Sequence, residues 1–173
     1  MIAWLRRHLP LKVLARDIAL ILLALLILQW ARALQLDGRG AAWPVAALAA
    51  SMLALAGYLL HEWGHLAGAL ISRASVILPA GVTGAFLFRW DTARNSRRQF
   101  FWMASGGFVA SLLTVIAYAL WLQPVFWADR VALILTALGV LATLIIEVPE
   151  FLRVARGGPI PDGAAFVSDA ETR

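Results

Sequence analysis

The chain alternates between long apolar runs and short polar connections, a pattern typical of helices that cross a membrane. Two runs carry no charge: Ala41–Leu60 has twenty residues and Phe100–Ala128 has twenty-nine. Because a bilayer core about 30 Å thick takes about 20 helical residues, each run is long enough to span. The pattern predicts an all-α polytopic membrane protein, a single membrane domain over residues 1–173. Its four transmembrane helices are expected at about 17–36, 43–72, 100–123 and 129–149, with a cytoplasmic tail at 157–173.

The connection between the second and third spans differs from an ordinary loop. Val76–Leu78 and Ala85–Phe88 are short and apolar, and Pro79, Gly81 and Gly84 lie between them. This spacing predicts two short strands around a turn, a β-hairpin-like segment. Because open strand edges do not face lipid, we expect the pair to rest at the membrane boundary or against the helices.

Composition narrows the class of protein further. With 62% hydrophobic and 14% charged residues, the chain has too little polar surface for a soluble domain of this length. The net charge of +5 does not indicate nucleic-acid binding, because the basic residues lie at the ends of the predicted spans. The chain has no cysteine, so any metal must be held by nitrogen and oxygen ligands. The lipid bilayer is therefore the expected partner.

The distribution of basic residues predicts the orientation of the spans. One side carries the N-terminal segment, the connection between spans two and three, and the tail; the other side has three arginines. By the positive-inside rule both termini are cytoplasmic, and we expect an integral protein of a bacterial inner membrane. The first group comprises Arg6, Arg7, Lys12, Arg16, Arg73, Arg89, Arg94, Arg97, Arg98, Arg153, Arg156 and Arg173, and the second Arg32, Arg39 and Arg130.

The second span contains the sequence His61-Glu62-Trp63-Gly64-His65. Residues four apart on a helix share a face, so both imidazoles can bind one Zn²⁺ at about 2.0–2.1 Å. Glu62 can then reach a metal-activated water as the general base. A chance match is common in soluble proteins, but ionisable groups inside an apolar span are costly and are kept mainly where they act. We therefore favour a site for one zinc ion over a buried polar cluster.

Two histidines leave such a site incomplete, since catalytic zinc takes a third protein ligand. The candidates are Glu147, Glu150 and Asp162. If the second span starts near Trp43 and the fourth near Asp129, the histidines and both glutamates lie about 18 to 22 residues deep, whereas Asp162 lies beyond the membrane. Glu147 directly follows an apolar stretch and is the preferred third ligand. Glu150 and Asp162 remain alternates.

With HExGH inside a span, the chain resembles the site-two protease family of intramembrane zinc metalloproteases, the M50 peptidases. The likeness covers roughly residues 43–163: the motif, then short strands, then the small residues Ser105-Gly106-Gly107, then another helix. The resemblance implies that His61 and His65 bind zinc and that Glu62 is the catalytic base. It also implies that a substrate strand adds to an edge of the short strands. The family has an aspartate ligand in an Asp-Gly pair on the helix that follows its small-residue motif. Here the corresponding Asp-Gly pair begins at Asp162, late in the chain.

These observations predict a zinc metalloendopeptidase that cleaves a transmembrane protein substrate in or near the membrane. The first alternative is a non-proteolytic relative with a structural metal site that binds or regulates a membrane partner. The second is a metal-dependent enzyme acting on lipid, which is less favoured because the chain lacks further histidine clusters.

Overall fold

A computed structural model describes residues 10–79, 81–82, 86–162 and 165–167. This part of the chain forms four helices and three short strands. The helices are α1 Leu11–Leu36, α2 Ala42–Ile71, α3 Arg97–Trp121 and α4 Trp127–Ala155. The strands are β1 Val76–Ile77, β2 Arg89–Asp91 and β3 Phe166–Val167. The prediction of a mostly helical chain with a small β segment between the second and third helices is confirmed.

Three of the helices, α2, α3 and α4, are long and apolar enough to cross a membrane. Their outer surfaces are apolar too: only 11% of the most apolar stretch of α4 is buried. A soluble protein rarely leaves such a large apolar surface open to water. The structure therefore indicates a membrane protein with three candidate spans. Helix α1, which contains the span predicted at about 17–36, is not among these three.

Helix α4 continues beyond the predicted span end at Pro149 and runs to Ala155. A proline lacks the N–H that would bond the carbonyl four residues before it, which is here Ile145. Ile145 is exposed. The helix tolerates the proline, and Glu147 lies within the turn that contains it.

The hairpin-like prediction is right for its first strand and wrong for its second. β1 falls within the predicted Val76–Leu78, but its antiparallel partner is Arg89–Asp91, not Ala85–Phe88. The reason is burial: the indole of Trp90 is 1% exposed and stands opposite Val76 in the ladder. Leu87 and Phe88 enter the core without pairing. Ala85 lies outside the described residues.

The segment predicted to be a plain tail returns to the sheet. β3 pairs with β2 in parallel, so the sheet order is β1-β2-β3. Trp90 N–H donates to the carbonyl of Ala165 at 2.7 Å, and Thr92 N–H donates to that of Val167 at 2.8 Å. Residues 165–167 are thus held beside the segment that joins α2 to α3.

Helix α2 is central and packs against the other three helices. One hydrophobic core lies beside the sheet, around Leu66, Trp90 and Phe100. The second lies toward the other end of the bundle and consists largely of alanines, such as Ala49 and Ala50, which let the helices approach closely.

Candidate metal centre

The two histidines of the HExGH motif point the same way from α2. His61 and His65 are one helical turn apart, and their Nε2 atoms are 2.9 Å from each other. His61 is buried and His65 nearly so, with side chains 5% and 12% exposed. The helical spacing thus produces the convergence that the sequence predicts.

Helix α3 holds the other nitrogen of each ring. His61 Nδ1 lies 3.1 Å from the carbonyl oxygen of Gly107 and 2.9 Å from Ser111 Oγ. His65 Nδ1 lies 3.0 Å from the carbonyl oxygen of Met103. A carbonyl only accepts hydrogen bonds, so these contacts assign the N–H to Nδ1 and leave a lone pair on each Nε2. Outer hydrogen bonds of this kind orient histidines that bind metals.

The close approach of α2 and α3 depends on glycines at their crossing. A Cβ at Gly64 would overlap the carbonyl oxygen of Gly106 and the side chain of Ala110. A Cβ at Gly107 would overlap the imidazole ring of His65. The small residues of α3 therefore do pack against the motif helix, as their spacing suggests. This packing brings the α3 carbonyls within hydrogen-bonding distance of the rings.

Helix α4 supplies Glu147, the carboxylate that the sequence favours as the third metal ligand. Glu147 Oε1 is 3.0 Å from His61 Nε2, and Glu147 Oε2 is 3.4 Å from His65 Nε2. Tetrahedral zinc with bonds of about 2.0–2.1 Å separates its ligand atoms by about 3.3 Å. The three distances, which involve both oxygens of Glu147, are therefore within a few tenths of an ångström of that spacing. Moreover, two lone pairs 2.9 Å apart repel unless a cation or a proton lies between them.

Among the described residues, His61, His65 and Glu147 form the group that can hold a metal ion. The two alternates are not part of it. Glu150 pairs with Arg153 one turn later on α4. Asp162 is exposed on the segment that follows α4. The structure thus brings together the two histidines and the preferred carboxylate, and their role as ligands of zinc stays a prediction.

A cavity of about 240 Å³ adjoins this group. Glu62, His65 and Glu147 line it, together with Tyr58, which lies one helical turn before Glu62. Glu62, the predicted general base, therefore borders the same cavity as His65 and Glu147, and a substrate and a water molecule can share this cavity.

Sequence reasoning missed several residues of this site. Ser111 and the carbonyl of Met103 contact the histidines, and Tyr58 and Phe166 of β3 line the cavity. The small-residue spacing of α3 indicates a face that packs closely, and Ser111 lies on it. No local signal links Phe166 to the site, because strand β3 is defined only by its pairing with β2.

No protein-family model, curated protein or solved structure matches this chain. The chemistry of the site is therefore the basis for inferring a function.

Proposed function

We propose that this protein is an intramembrane zinc metalloprotease of the site-two protease type, which hydrolyses a peptide bond in or near a transmembrane segment. One observation carries the proposal: His61, His65 and Glu147 converge from two apolar helices at a cavity that Glu62 also lines. Each of these four side chains would be costly in hydrocarbon without a function that needs it.

The ligand set favours zinc. Two imidazole nitrogens and one carboxylate oxygen are the protein ligands of catalytic zinc in one large group of peptidases. Structural zinc sites use four protein ligands, whereas the group in the described residues has three. A three-ligand site keeps one position for water or substrate, which supports catalysis over a structural role.

Zinc held in this way supplies a Lewis acid that activates water for attack on a carbonyl carbon. Glu62 is then the base that takes a proton from the attacking water and passes it to the leaving nitrogen. Ser111 and the carbonyls of Met103 and Gly107 hold the two imidazoles in position.

The membrane arrangement is part of the same proposal. We place a further span in α1, which is 26 residues long and has an uncharged stretch from Ile18 to Ala31. Both termini and the connection with the sheet are cytoplasmic, which gives the cavity a route to water on that side. The substrate is a membrane protein segment that unwinds beside the sheet.

Zinc content and cleavage of a membrane-embedded test substrate, measured on the purified protein, test the proposal. The wild type should hold one zinc per chain and cleave. Glu62→Gln should retain the zinc and lose at least about 100-fold in cleavage rate, since the general base is absent. Glu147→Gln should lose both zinc and cleavage.

Asp162→Asn is the matched control, because Asp162 is the other carboxylate considered as a third ligand but is exposed and does not line the cavity. It should keep zinc and activity. Cleavage by Glu62→Gln at the wild-type rate would refute the mechanism. Zinc in a protein that cleaves nothing would instead support the non-proteolytic alternative, and lack of zinc would contradict both.

A further inference from the structure

The cavity beside His61, His65 and Glu147 has a lining of two chemical kinds. Glu62, His65 and Glu147 form its polar part. Much of the rest is aromatic and includes Phe88, Trp90, Phe100 and Phe166. A ligand whose carbonyl lies at the metal group would therefore place its next side chain among aromatic rings.

The size of the cavity fits a large apolar side chain. An apolar cavity of about 150 Å³ is sufficient to hold a benzene ring. The space here is about 240 Å³, so leucine and phenylalanine side chains can enter it. The carboxylates of Glu62, Glu147 and Glu150 border the same space and repel an acidic side chain.

The C-terminal strand supplies one wall of this space. Phe166 lines the cavity, and its ring centroid lies 6.3 Å from that of Phe100. The backbone on either side is anchored: Ala165 accepts a hydrogen bond from Trp90 N–H, and Val167 accepts one from Thr92 N–H and one from Thr92 Oγ1 at 3.2 Å. Pro161, also in the lining, is buried. The wall is thus held in place by the sheet.

From this arrangement we infer a specificity site: the cavity binds a large apolar side chain of the substrate next to the scissile bond, and Phe166 sets the size accepted. The inference rests on the proposed function and names its substrate class, a peptide with a leucine- or phenylalanine-sized residue at that position. Phe166 acts through packing and takes no part in the bond-breaking step.

Binding of peptide hydroxamates to the zinc-loaded protein in detergent micelles tests the inference without relying on turnover. The probes differ only in the side chain next to the hydroxamate: glycine, leucine, phenylalanine, naphthylalanine or aspartate. The leucine and phenylalanine probes should bind at least about tenfold more tightly than the glycine probe. The aspartate probe should bind most weakly.

Two variants assign this preference to the cavity. Phe166→Ala enlarges the space and should improve naphthylalanine relative to leucine by about tenfold. Ala104→Leu fills the space from α3, where Ala104 lines the cavity, and should remove the advantage of phenylalanine over glycine. The second variant keeps the test decisive if the first does not fold.

Val167→Ala is the matched control. Val167 neighbours Phe166, but successive side chains of a strand point to opposite faces, and Val167 is not in the cavity lining. Its probe ranking should equal that of the wild type, which also corrects for partition of apolar probes into micelles. The same ranking in all four proteins, or no binding to protein that holds zinc, overturns the specificity site and leaves the metal site standing. A protein without zinc overturns the proposed function as well.

Discussion

Gly107 lies where the imidazole of His65 leaves no room for a side chain. A methyl group added at Gly107 would have to displace this ring. The Nδ1 atom of the ring also lies 3.0 Å from the carbonyl oxygen of Met103. Because the interiors of packed proteins do not yield to an added atom without cost, the ring rather than the helix backbone has to move. The glycine is therefore a requirement of the metal group as much as of the helix packing.

Gly107→Ala should weaken zinc binding by about ten- to hundredfold, the range seen when groups that orient metal ligands are lost. Competition with a zinc chelator of known affinity measures the change. Gly139→Ala on α4 is the control, since a Cβ there meets nothing within 4 Å. It should leave zinc affinity unchanged and strengthen the helix by about 1 kcal/mol. Equal zinc affinity in both variants would show that Gly107 does not position His65.

At the scale of elements, the apolar runs were sufficient to predict every helix end to within six residues. The number of residues from the start of each span, which measures depth in the membrane, was sufficient to favour Glu147 over Asp162 as the partner of the histidines. The strands were harder because they are two or three residues long, and β2 has Arg89 and Asp91 on either side of its buried tryptophan. Strand β3 forms only by pairing with β2, more than seventy residues earlier in the sequence, so no local sequence pattern predicts it.

The junction of α2 and α3 depends on one glutamine. Gln99 closes a capping box, because its Oε1 accepts hydrogen bonds from Ser96 N–H and Ser96 Oγ, each at 2.9 Å. Its Nε2 also donates to the carbonyls of Ser72 and Arg73, just beyond the end of α2. The side chain thus ties the end of the motif helix to the start of the helix that holds its histidines.

Gln99→Ala should reduce stability by about 1–2 kcal/mol, since it removes both the cap and the tie. Gln99→Glu retains the acceptors of the cap and loses the donated bonds, so its loss should be smaller. Thermal unfolding in micelles gives the ranking, with Gln29→Ala on the exposed face of α1 as a neutral reference. An alanine variant as stable as the glutamate variant would show that the capping box contributes nothing.

At the scale of the whole molecule, a buried ion pair joins α1 to α4. Arg32 of α1 pairs with both carboxylate oxygens of Asp129, which is 0% exposed at the start of α4. Gln123 N–H donates to the same carboxylate at 2.6 Å. The guanidinium also lies 5.4 Å from the ring centroids of Trp121 and Phe126. Arg32, predicted from sequence to lie near the membrane surface, has this internal partner.

Arg32→Leu should destabilise the protein by about 3–5 kcal/mol, because it leaves a buried carboxylate without its cation. Replacing both residues by leucine should cost less than the single change. Unfolding by denaturant in micelles provides the free energies. Asp37→Ala, which breaks the exposed Asp37–Arg39 pair, should cost less than about 1 kcal/mol. A double variant less stable than Arg32→Leu would contradict an energetic role for the pairing.

The same pair sharpens the predicted topology. Since Arg32 is neutralised by Asp129, the side of the membrane opposite the sheet has only two basic residues not in this pair, Arg39 and Arg130. The chain has no cysteine, so single cysteines report sidedness directly. In intact cells, an impermeant maleimide should label Gly40→Cys and not Ala93→Cys, until the membrane is opened. The reverse labelling would invert the orientation and place the cavity on the outer side.

The position of Glu147 in the chain has a consequence for synthesis. Glu147 comes 82 positions after His65, so at about 5–20 residues per second it is synthesised about 4–16 s later. During that interval α3 is made and supplies Ser111 and both carbonyls that hold the Nδ1 atoms. All the groups that hold the two imidazoles are therefore made before the carboxylate. The proposed zinc ion has its full set of protein ligands only after α4 has been synthesised.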